Sequence, residues 1–462
     1  MVTLLWEAFC AKERELNLMS EFGCWKERLL NSPSEVSALM AELPPIDVAE
    51  VLASLDDARL AAVLRIMSIH DLAQMLEEWD IDTAWHALSL LPKEMMAPAV
   101  REMPSDDRTD LLNAMPEATR EILLQALSTD TTAVRELLAY AAQSSGGLMA
   151  TEFLAVRPEW TSEEALAIVR HDAQEAETAY YVYVTDHKQK LMGVLSLREL
   201  VLAAPQAKVI DIMRSNPVKV HEHDHQAAVA DLFRRYHLFA LPVVDDKGLL
   251  KGIVTADDVL DVVDDEATED MQKMSWMTPN EAPYLDTTII RLAKQRLPWL
   301  LVLMLSATFT GQIIKHYEDL LGQLVALTIF IPMLMDTAGN AGSQSSTLII
   351  RGLALGEISQ GDWLKVFKRE LLVSAFVGLA LAAVNFIRIS FIEKSSIPVA
   401  LVVSLTLFAT VVLAKITGGL LPLIAKLLSI DPAIMAGPLI TTIVDAMSLF
   451  IYFYLATSLL AA

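Results

Sequence analysis

The chain has 462 residues, enough for several domains, and 53% of them are hydrophobic. Residues 297–462 contain nine acidic and nine basic side chains, so the formal net charge of −23 lies entirely in residues 1–296. Because nucleic acids and anionic lipids are polyanions, this acidic first part argues against both as its partners and suits cations, although solubility alone also explains such a surface.

Residues 1–34 are predicted to form a separate N-terminal segment. Charged residues interrupt every apolar run in the first 25 positions, so no cleavable signal peptide is expected. Cys10 and Cys24 have no metal-ligand spacing and indicate no disulfide framework, which favours a reducing compartment.

An all-α helical-repeat domain is predicted over residues 35–138. Short amphipathic units punctuated by Asp or Pro recur at a spacing of about 20–24 residues, as in DVAEVLASLDDARLAAVLRIM and DRTDLLNAMPEATREILLQAL. Such an array usually forms an interaction or regulatory surface rather than an active site.

Two similar α/β units are predicted within residues 139–262. VYVTDHKQKLMGVLSLRELV and PVVDDKGLLKGIVTADDVL share the order strand, turn with Asp, Gly, strand, hydroxyl and helix. Gly193 and Gly252 lie 59 residues apart, as do Ser196 and Thr255. The constant offset indicates a tandem repeat.

This repeat resembles a tandem pair of cystathionine-β-synthase (CBS) modules, which pack as a pseudo-twofold unit and often bind adenine nucleotides. The resemblance implies ATP or another adenine nucleotide as a possible ligand. Its candidate contacts in this chain are Thr255, Arg198 and Glu199. A pair that transmits motion or binds another ligand is the alternative.

An acidic connecting helix and linker are predicted over residues 263–296. Four carboxylates follow one another at steps of three or four residues and share one helix face, with Glu266 and Asp270 beside them; the four are Asp258, Asp261, Asp265 and Glu269. Like charges at this spacing destabilise a helix by a few tenths of a kcal/mol per pair. Bound divalent cations would relieve the repulsion, and oxygen ligands favour Mg²⁺ or Ca²⁺. A solvated acidic face is the alternative.

Five membrane helices are predicted in residues 297–462, because five apolar runs there are long enough to cross a bilayer. They lie near 297–315, 321–349, 370–390, 397–420 and 434–460. Eight basic residues flank these runs on one side and three on the other. The positive-inside rule therefore puts the N-terminal domains in the cytoplasm and the C-terminus outside.

Polar residues inside these spans indicate a chemical role. A mid-span carboxylate such as Asp445 costs about 2.5–3.5 kcal/mol on insertion scales, so it is expected to face a partner or a water-filled path. In the second span, Asp336, Asn340 and Gln344 exceed what helix packing requires and offer oxygens to a hydrated cation. Asp431, which precedes a proline, is by itself more typical of a helix cap.

From about residue 35 to the end, the order of parts and the local sequences resemble the MgtE family of bacterial magnesium channels. The most specific stretches are PMLMDTAGNAGSQ, SSGGLM, DDEATEDMQK and DPAIMAGPLITT. The resemblance implies a homodimer in the bacterial inner membrane with a Mg²⁺ pore between the two copies. Asp445 matches the pore carboxylate, and Asn340 lies in the stretch that matches the pore-lining helix.

The resemblance also implies that cytoplasmic Mg²⁺ closes the pore by joining the N-terminal domain, the CBS pair and the linker helix. The matching ligand positions are Asp106, Asp110, Asp258, Asp261, Glu266, Glu269, Asp270 and Asp431. Ala227, His237 and Gly437 depart from the family pattern, which leaves the number and affinity of regulatory sites open.

The predicted fold class is a multidomain α + α/β membrane protein: a helical-repeat domain, a tandem CBS pair and a five-helix membrane bundle. The predicted function is Mg²⁺-selective uptake through a channel. A Na⁺- or H⁺-coupled divalent cation transporter and a membrane-anchored sensor without transport are the alternatives. No enzymatic activity is expected, since the sequence has no nucleophile–base constellation and no phosphate-binding glycine loop.

Overall fold

The structure is a computed structural model that describes residues 25–29, 32–127, 131–174, 176–280, 284–285, 287–323 and 325–460. Most of the predicted segment 1–34, with Cys10 and Cys24, lies outside the described residues. The chain divides into two compact units, Met1–Val263 and Asp264–Ala462.

The first unit begins with a domain built from short helices, which confirms the predicted helical domain. They are α1 (Val36–Glu42), α2 (Pro45–Ala53), α3 (Asp57–Leu64), α4 (Ile69–Glu78), α5 (Ile81–Ser89), α6 (Lys93–Glu102), α7 (Ser105–Ala114), α8 (Glu117–Leu127) and α9 (Thr131–Leu137). From α2 to α8, each helix packs against the helix two places along the chain. Leucines such as Leu72 and Leu88 are fully buried between them.

A 12-residue period underlies this array. Asp56, Ser68 and Asp80 each accept a hydrogen bond from the backbone N–H three residues later and so cap the start of a helix. Pro92 and Pro104 occupy the same position in later repeats. The predicted spacing of 20–24 residues therefore corresponds to two helices, and its Asp/Pro punctuation marks the helix starts.

The rest of the first unit contains two α/β modules with the same strand pairing. One sheet has the order β1 (Ala155–Val156), β2 (Tyr181–Thr185), β3 (Leu191–Ser196) and β4 (Arg214–Ser215), and the other has β5 (Val220–His221), β6 (Ala240–Val244) and β7 (Leu250–Thr255). In both, the first strand is parallel and the third antiparallel to the second. The helices are α10 (Ser162–Asp172), α11 (Leu197–Leu202), α12 (Val209–Ile212) and α13 (Gln226–Tyr236).

Backbone hydrogen bonds join the two modules symmetrically. Leu191 N donates to Gly248 O and Leu250 N donates to Gln189 O, each at 3.0 Å. The two donors, Leu191 and Leu250, are 59 residues apart, and so are the two acceptors, Gln189 and Gly248. Equivalent residues of the two modules therefore make equivalent bonds, and the pair has the predicted pseudo-twofold arrangement. A Cβ on Gly252 would lie 2.6 Å from the Ala150 carbonyl oxygen, which explains why glycine stands at this repeat position.

The boundary between the two units falls inside α14 (Ala256–Met274), which follows β7 directly. The predicted division between the CBS pair and the connecting helix at residue 262/263 therefore lies within one continuous helix.

Among the described residues of the second unit, five helices are long and apolar enough to cross a membrane, which confirms the prediction of five membrane helices. With their short 3₁₀ or π extensions they cover Ile289–His316, Val325–Ala354, Gln360–Ile392, Ile397–Leu427 and Pro432–Leu460. The α-helices are α15 (Ile289–His316), the short α16 (Glu318–Gln323), α17 (Ile331–Ala354), α18 (Trp363–Ile387), α19 (Ile397–Leu427) and α20 (Gly437–Leu460).

α19 is the central helix of this bundle, since it packs against α17, α18 and α20. Small residues allow the closest approach: a Cβ on Gly418 would clash with the Gly342 carbonyl oxygen. α17 and α20 also pack together, with Thr441 against Gly339 and Ile440 against Gly342. These contacts bring Asp445, one turn beyond Thr441, next to the polar residues of α17.

Candidate functional site

Carboxylates of the helical domain and of α14 meet in the first unit. The first two turns of α7 carry Asp106, Asp107 and Asp110. Asp258, in the first turn of α14, is close enough to interact electrostatically with all three. The structure thus brings together Asp106, Asp110 and Asp258, three of the predicted ligand positions.

A polar network holds the start of α7 against the α/β modules. Ser105 Oγ donates to Glu152 Oε2 at 2.6 Å, and Thr151 N donates to Ser105 Oγ at 2.8 Å. The buried guanidinium of Arg108 lies 3.7 Å from Glu152 Oε1. Because these contacts fix the first turn of α7, they also fix where its carboxylates face Asp258.

The carboxyls of α7 and Asp258, together with Glu177 from the segment before β2, form an acidic cluster in which crowding and burial raise each pKa. Burial, followed by the charge of Asp258, raises the pKa of Asp107 to about 8, that of Asp110 to about 6 and that of Glu177 to about 7. The same two causes raise the pKa of Asp106 well above its ordinary range. The cluster therefore holds protons near neutral pH that a bound cation would displace.

Asp258 also caps the helix on which it lies. Thr255 Oγ1 donates to Asp258 Oδ2 at 2.6 Å, and the equivalent pair in the first module is Ser196 with Glu199, at 2.9 Å. Burial is the largest cause that raises the pKa of Asp258, and the hydrogen bond from Thr255 opposes it. Asp261, one turn further along, adds repulsion to Asp258.

Within the described ranges, no three His, Cys, Asp or Glu side chains already surround one ion position. The carboxylates of α7 and α14 are instead neighbours whose charges interact. Oxygen ligands of this kind suit a hard cation such as Mg²⁺, which usually binds through one or two carboxylates and keeps several waters.

The second unit contains another group of the predicted ligands. Lys273 Nζ lies 2.8 Å from Glu269 Oε1 and 2.8 Å from Asp431 Oδ2, so a lysine ammonium bridges the end of α14 to the loop before α20. Burial opposes its charge, but hydrogen bonds to Asp431 and Glu269 outweigh that effect and raise the pKa of Lys273. Burial, then the charges of Asp431 and Glu266, raise the pKa of Asp270.

Two further contacts anchor this end of the linker. Trp276 Nε1 donates to the Ile434 carbonyl oxygen at 2.8 Å, and its ring packs edge-on against Trp299 with centroids 4.9 Å apart. Gly437, one of the positions that depart from the family pattern, begins α20 close to the Met274 carbonyl oxygen. The start of α20 is therefore in direct contact with the linker.

The membrane helix α17 has one polar face that stays exposed in the single chain. Residues at steps of four, Asp336, Asn340 and Gln344, are exposed, while neighbours such as Ala338 and Ala341 are buried. Asp445 of α20 is half-buried and close enough to Asp336 for their charges to interact. The predicted pore residues Asp445 and Asn340 thus lie on helices that pack directly together.

A cavity of about 490 Å³ lies between the two α/β modules. Its walls include Tyr181, Glu199, Arg214 and Tyr236, and Arg214 Nη2 donates to Glu199 Oε1 at 2.7 Å. Arg198 lines an adjacent cavity of about 660 Å³. Of the three predicted nucleotide contacts, Glu199 and Arg198 reach these cavities, whereas Thr255 lines neither.

Sequence reasoning missed Glu177 and Lys273. Glu177 comes from the segment before β2, and no local pattern connects it with Asp258. Lys273 lies four residues after Glu269, a helix pairing that is visible in the sequence, but its second partner Asp431 belongs to a distant loop.

Comparisons with known proteins match the whole architecture. Three protein families match consecutive parts of the chain: the MgtE intracellular N domain matches residues 35–143, the CBS domain 146–205 and 209–265, and the MgtE divalent cation transporter domain 331–455. The magnesium transporter MgtE of Thermus thermophilus is 35% identical over 452 residues, which is 92% of this chain and 100% of that protein. MgtE of Bacillus subtilis is 34% identical over 422 residues, covering 91% and 93% of the two chains.

A solved structure supports the fold of the soluble part. The crystal structure of the soluble part of a magnesium transporter is 32% identical, covers 54% of this chain and 99% of that one, and superposes with a TM-score of 0.52.

In the presence of a chelator, the full-length protein in detergent should unfold at a lower temperature at pH 8 than at pH 6. The folded carboxyls keep their protons up to pKa values of about 6 to 8, whereas unfolded Asp loses its proton near pH 4, so stability falls as the pH rises through this window. Asp107→Asn should reduce the loss of unfolding free energy between pH 6 and pH 8 by on the order of 1 kcal/mol or more. Glu50→Gln, at an exposed position of α2, is the control. An unfolding temperature equal at both pH values would contradict this account of the cluster.

Proposed function

Because this chain belongs to the MgtE family, we propose that it transports Mg²⁺ across a membrane along the polar face of α17 and past Asp445. The observation that carries this proposal is the row of exposed Asp336, Asn340 and Gln344 along one face of this membrane helix. A hydrated Mg²⁺ exchanges its inner waters slowly, so these oxygens would contact the ion mainly through its water shell. Asp445 would supply the negative charge that attracts it.

The same polar face supports a homodimer with the path between the two copies. Exposed Asp, Asn and Gln side chains are unfavourable against lipid, so this face needs water or protein opposite it. A second copy related by twofold symmetry would put two Asp445 carboxylates on one water-filled path. We further propose the bacterial inner membrane as the location, with the acidic first unit in the cytoplasm and the C-terminus outside, because the basic residues flank the cytoplasmic helix ends.

A Mg²⁺-selective channel accounts for these features without a second ion. Within the described residues, no Lys or Arg forms an ion pair with Asp445. A carboxylate without a fixed counter-ion can attract a passing cation and release it again, as conduction requires. The same group could also take up a proton, so a Na⁺- or H⁺-coupled divalent cation transporter is the second candidate.

We expect Asp445→Ala to abolish Mg²⁺ flux into proteoliposomes, because the carboxylate is then lost from the path. Glu357→Gln, at an exposed loop position of the second unit, is the control and should keep wild-type flux. Unchanged flux in Asp445→Ala would refute the path. Electrical recording separates the two candidates: a channel current reverses at the Mg²⁺ equilibrium potential and is insensitive to Na⁺ and proton gradients.

The acidic groups outside the membrane supply a mechanism for closure by cytoplasmic Mg²⁺. When the cation concentration is low, the carboxylates of Asp106, Asp107, Asp110 and Asp258 repel one another, and so do the neighbouring carboxylates along α14. Bound Mg²⁺ would remove that repulsion and hold the helical domain, the CBS pair and α14 together. Glu269 and Asp431, already bridged by Lys273, connect this response to the start of α20.

The combined variant Glu266→Gln, Glu269→Gln and Asp270→Asn should conduct at cytoplasmic Mg²⁺ concentrations that close the wild type. The physical reason is that the neutral side chains do not bind Mg²⁺, so no bound cation holds the helical domain, the CBS pair and α14 together. Asp264→Asn, an exposed residue of the same helix, is the matched control. Patch recording with stepped cytoplasmic Mg²⁺ measures the effect; closure at the wild-type concentration would exclude this face as the sensor.

The cavity between the α/β modules supports an adenine nucleotide as a second regulatory ligand. Its volume suits a small organic molecule, and the rings of Tyr181 and Tyr236 offer apolar surface for a base. Arg214 on the wall, with Arg198 in the adjacent cavity, would provide positive charge for phosphates.

ATP should therefore raise the unfolding temperature of the full-length protein, as any ligand of the folded state does. Arg198→Ala and Arg214→Ala should each raise the ATP concentration needed for the same increase in unfolding temperature by about tenfold or more, since each substitution removes a charged hydrogen bond to the nucleotide. Thr255→Val should leave it unchanged, because that hydroxyl is engaged by Asp258 and lies outside both cavities. A thermal shift that is lost in Thr255→Val and retained in both arginine variants would reject this cavity as the site.

A further inference from the structure

Lys415 is a buried basic residue near the middle of α19. It is 6% exposed, although a charged side chain inside a membrane bundle is costly and normally marks a functional site. Its Nζ donates to Gln344 Oε1 of α17 at 3.3 Å, and no ion pair with a described carboxylate accompanies this bond. Lys415 is not among the basic residues at the ends of the spans from which the orientation of the membrane helices was predicted.

The helices that carry Lys415 and Asp445 both pack against α17 around Gly342. A Cβ on Gly342 would lie 2.6 Å from Ile440 Cγ2 and 3.7 Å from Val444 Cγ2 of α20, and 3.3 Å from the Ala414 carbonyl oxygen of α19. Ala414 directly precedes Lys415, and Val444 directly precedes Asp445. The Lys415 ammonium lies beside Gln344 and the Asp445 carboxylate interacts with Asp336, so the two charges approach the same polar row of α17, about two turns apart.

The nearby acidic residue Glu370 is held by a different partner. Ser345 Oγ donates to Glu370 Oε2 at 2.6 Å, and Gly419 leaves space for the Glu370 side chain, since a Cβ there would lie 2.9 Å from Glu370 Cγ. Ser345 follows Gln344 directly on α17. Neighbouring residues of α17 thus bind a carboxylate of α18 and an ammonium of α19 separately, which leaves the charge of Lys415 directed at Gln344 on the polar face.

We propose that Lys415 sets the affinity of the ion path for divalent cations, acting through Gln344 as a positioning residue and through its own charge. The inference rests on the function proposed above. Asp336 and Asp445 give each chain two negative charges in this part of the path, and one fixed positive charge behind the polar face offsets part of their attraction. Because the interaction scales with ionic charge, a divalent cation feels twice the effect of a monovalent one. The lysine thereby keeps binding weak enough for the ion to leave, as transport requires.

The test measures initial Mg²⁺ flux against Mg²⁺ concentration for the full-length protein in proteoliposomes. Lys415→Met, of similar length but uncharged, should lower KM for Mg²⁺ by about 3- to 10-fold and also lower the maximal rate, because ions leave more slowly. Gln344→Glu, which keeps the lysine but neutralises its charge with a carboxylate, should shift KM in the same direction. Lys415→Arg retains the positive charge and should keep KM within about twofold of the wild type.

A role in packing alone predicts a different pattern, namely a reduced maximal rate with an unchanged KM in Lys415→Met and no shift in Gln344→Glu. That pattern would overturn the inference, and so would an equal shift in Lys415→Arg. If Lys415→Met does not elute as a folded species in detergent, Gln344→Glu decides by itself. Absence of flux in the wild type would overturn the transport function and this inference with it, whereas normal wild-type flux with unchanged KM in both charge variants overturns the inference alone.

Discussion

Repulsion between carboxylates that are held close together is the constraint on which the rest of this structure depends. Asp106, Asp107 and Asp110 start one helix, Asp258 starts another, and the Ser105–Glu152 network keeps the first helix where its carboxylates face the second. In water such a group would simply be solvated. Here burial raises the pKa of each carboxyl, so the cluster is stable only with protons or with a cation.

In the linker and in the membrane helices, lysine side chains lie beside the acidic groups and reduce this repulsion. Lys273 forms ion pairs with both Glu269 and Asp431, and Lys415 lies behind the polar face that approaches Asp445. In these two places a lysine of the protein offsets part of the negative charge, whereas the carboxyls of α7 and α14 respond to crowding with raised pKa values.

Much of this arrangement could be predicted from the sequence, for reasons that are local. The 59-residue offset from Gly193 to Gly252 reflects repeated close backbone approaches, so it identified the two modules. Helix caps such as Asp56 and Ser68 are short-range interactions, which is why the helical array was recognisable even though its true period of 12 residues was not. The apolar length of the five spans follows from the thickness of a bilayer.

Pairings between distant segments could not be predicted in this way. Glu177 joins the cluster because the segment before β2 passes near α14. Thr255 was predicted to contact a nucleotide, but its hydroxyl donates a hydrogen bond to Asp258 at the start of α14. Lys273 and Lys415 acquire their roles from Asp431 and Gln344, which lie on other elements.

The sequence by itself determined the types of the domains, the five membrane helices, the family and the acidic composition of residues 1–296, because patterning, propensity and charge are properties of neighbouring residues. The tertiary structure decided which carboxylates share a site, which have a lysine between them and which face of α17 stays open. Those outcomes depend on burial and on distances between elements far apart in the chain, and electrostatic energy is set by distance and local dielectric rather than by composition.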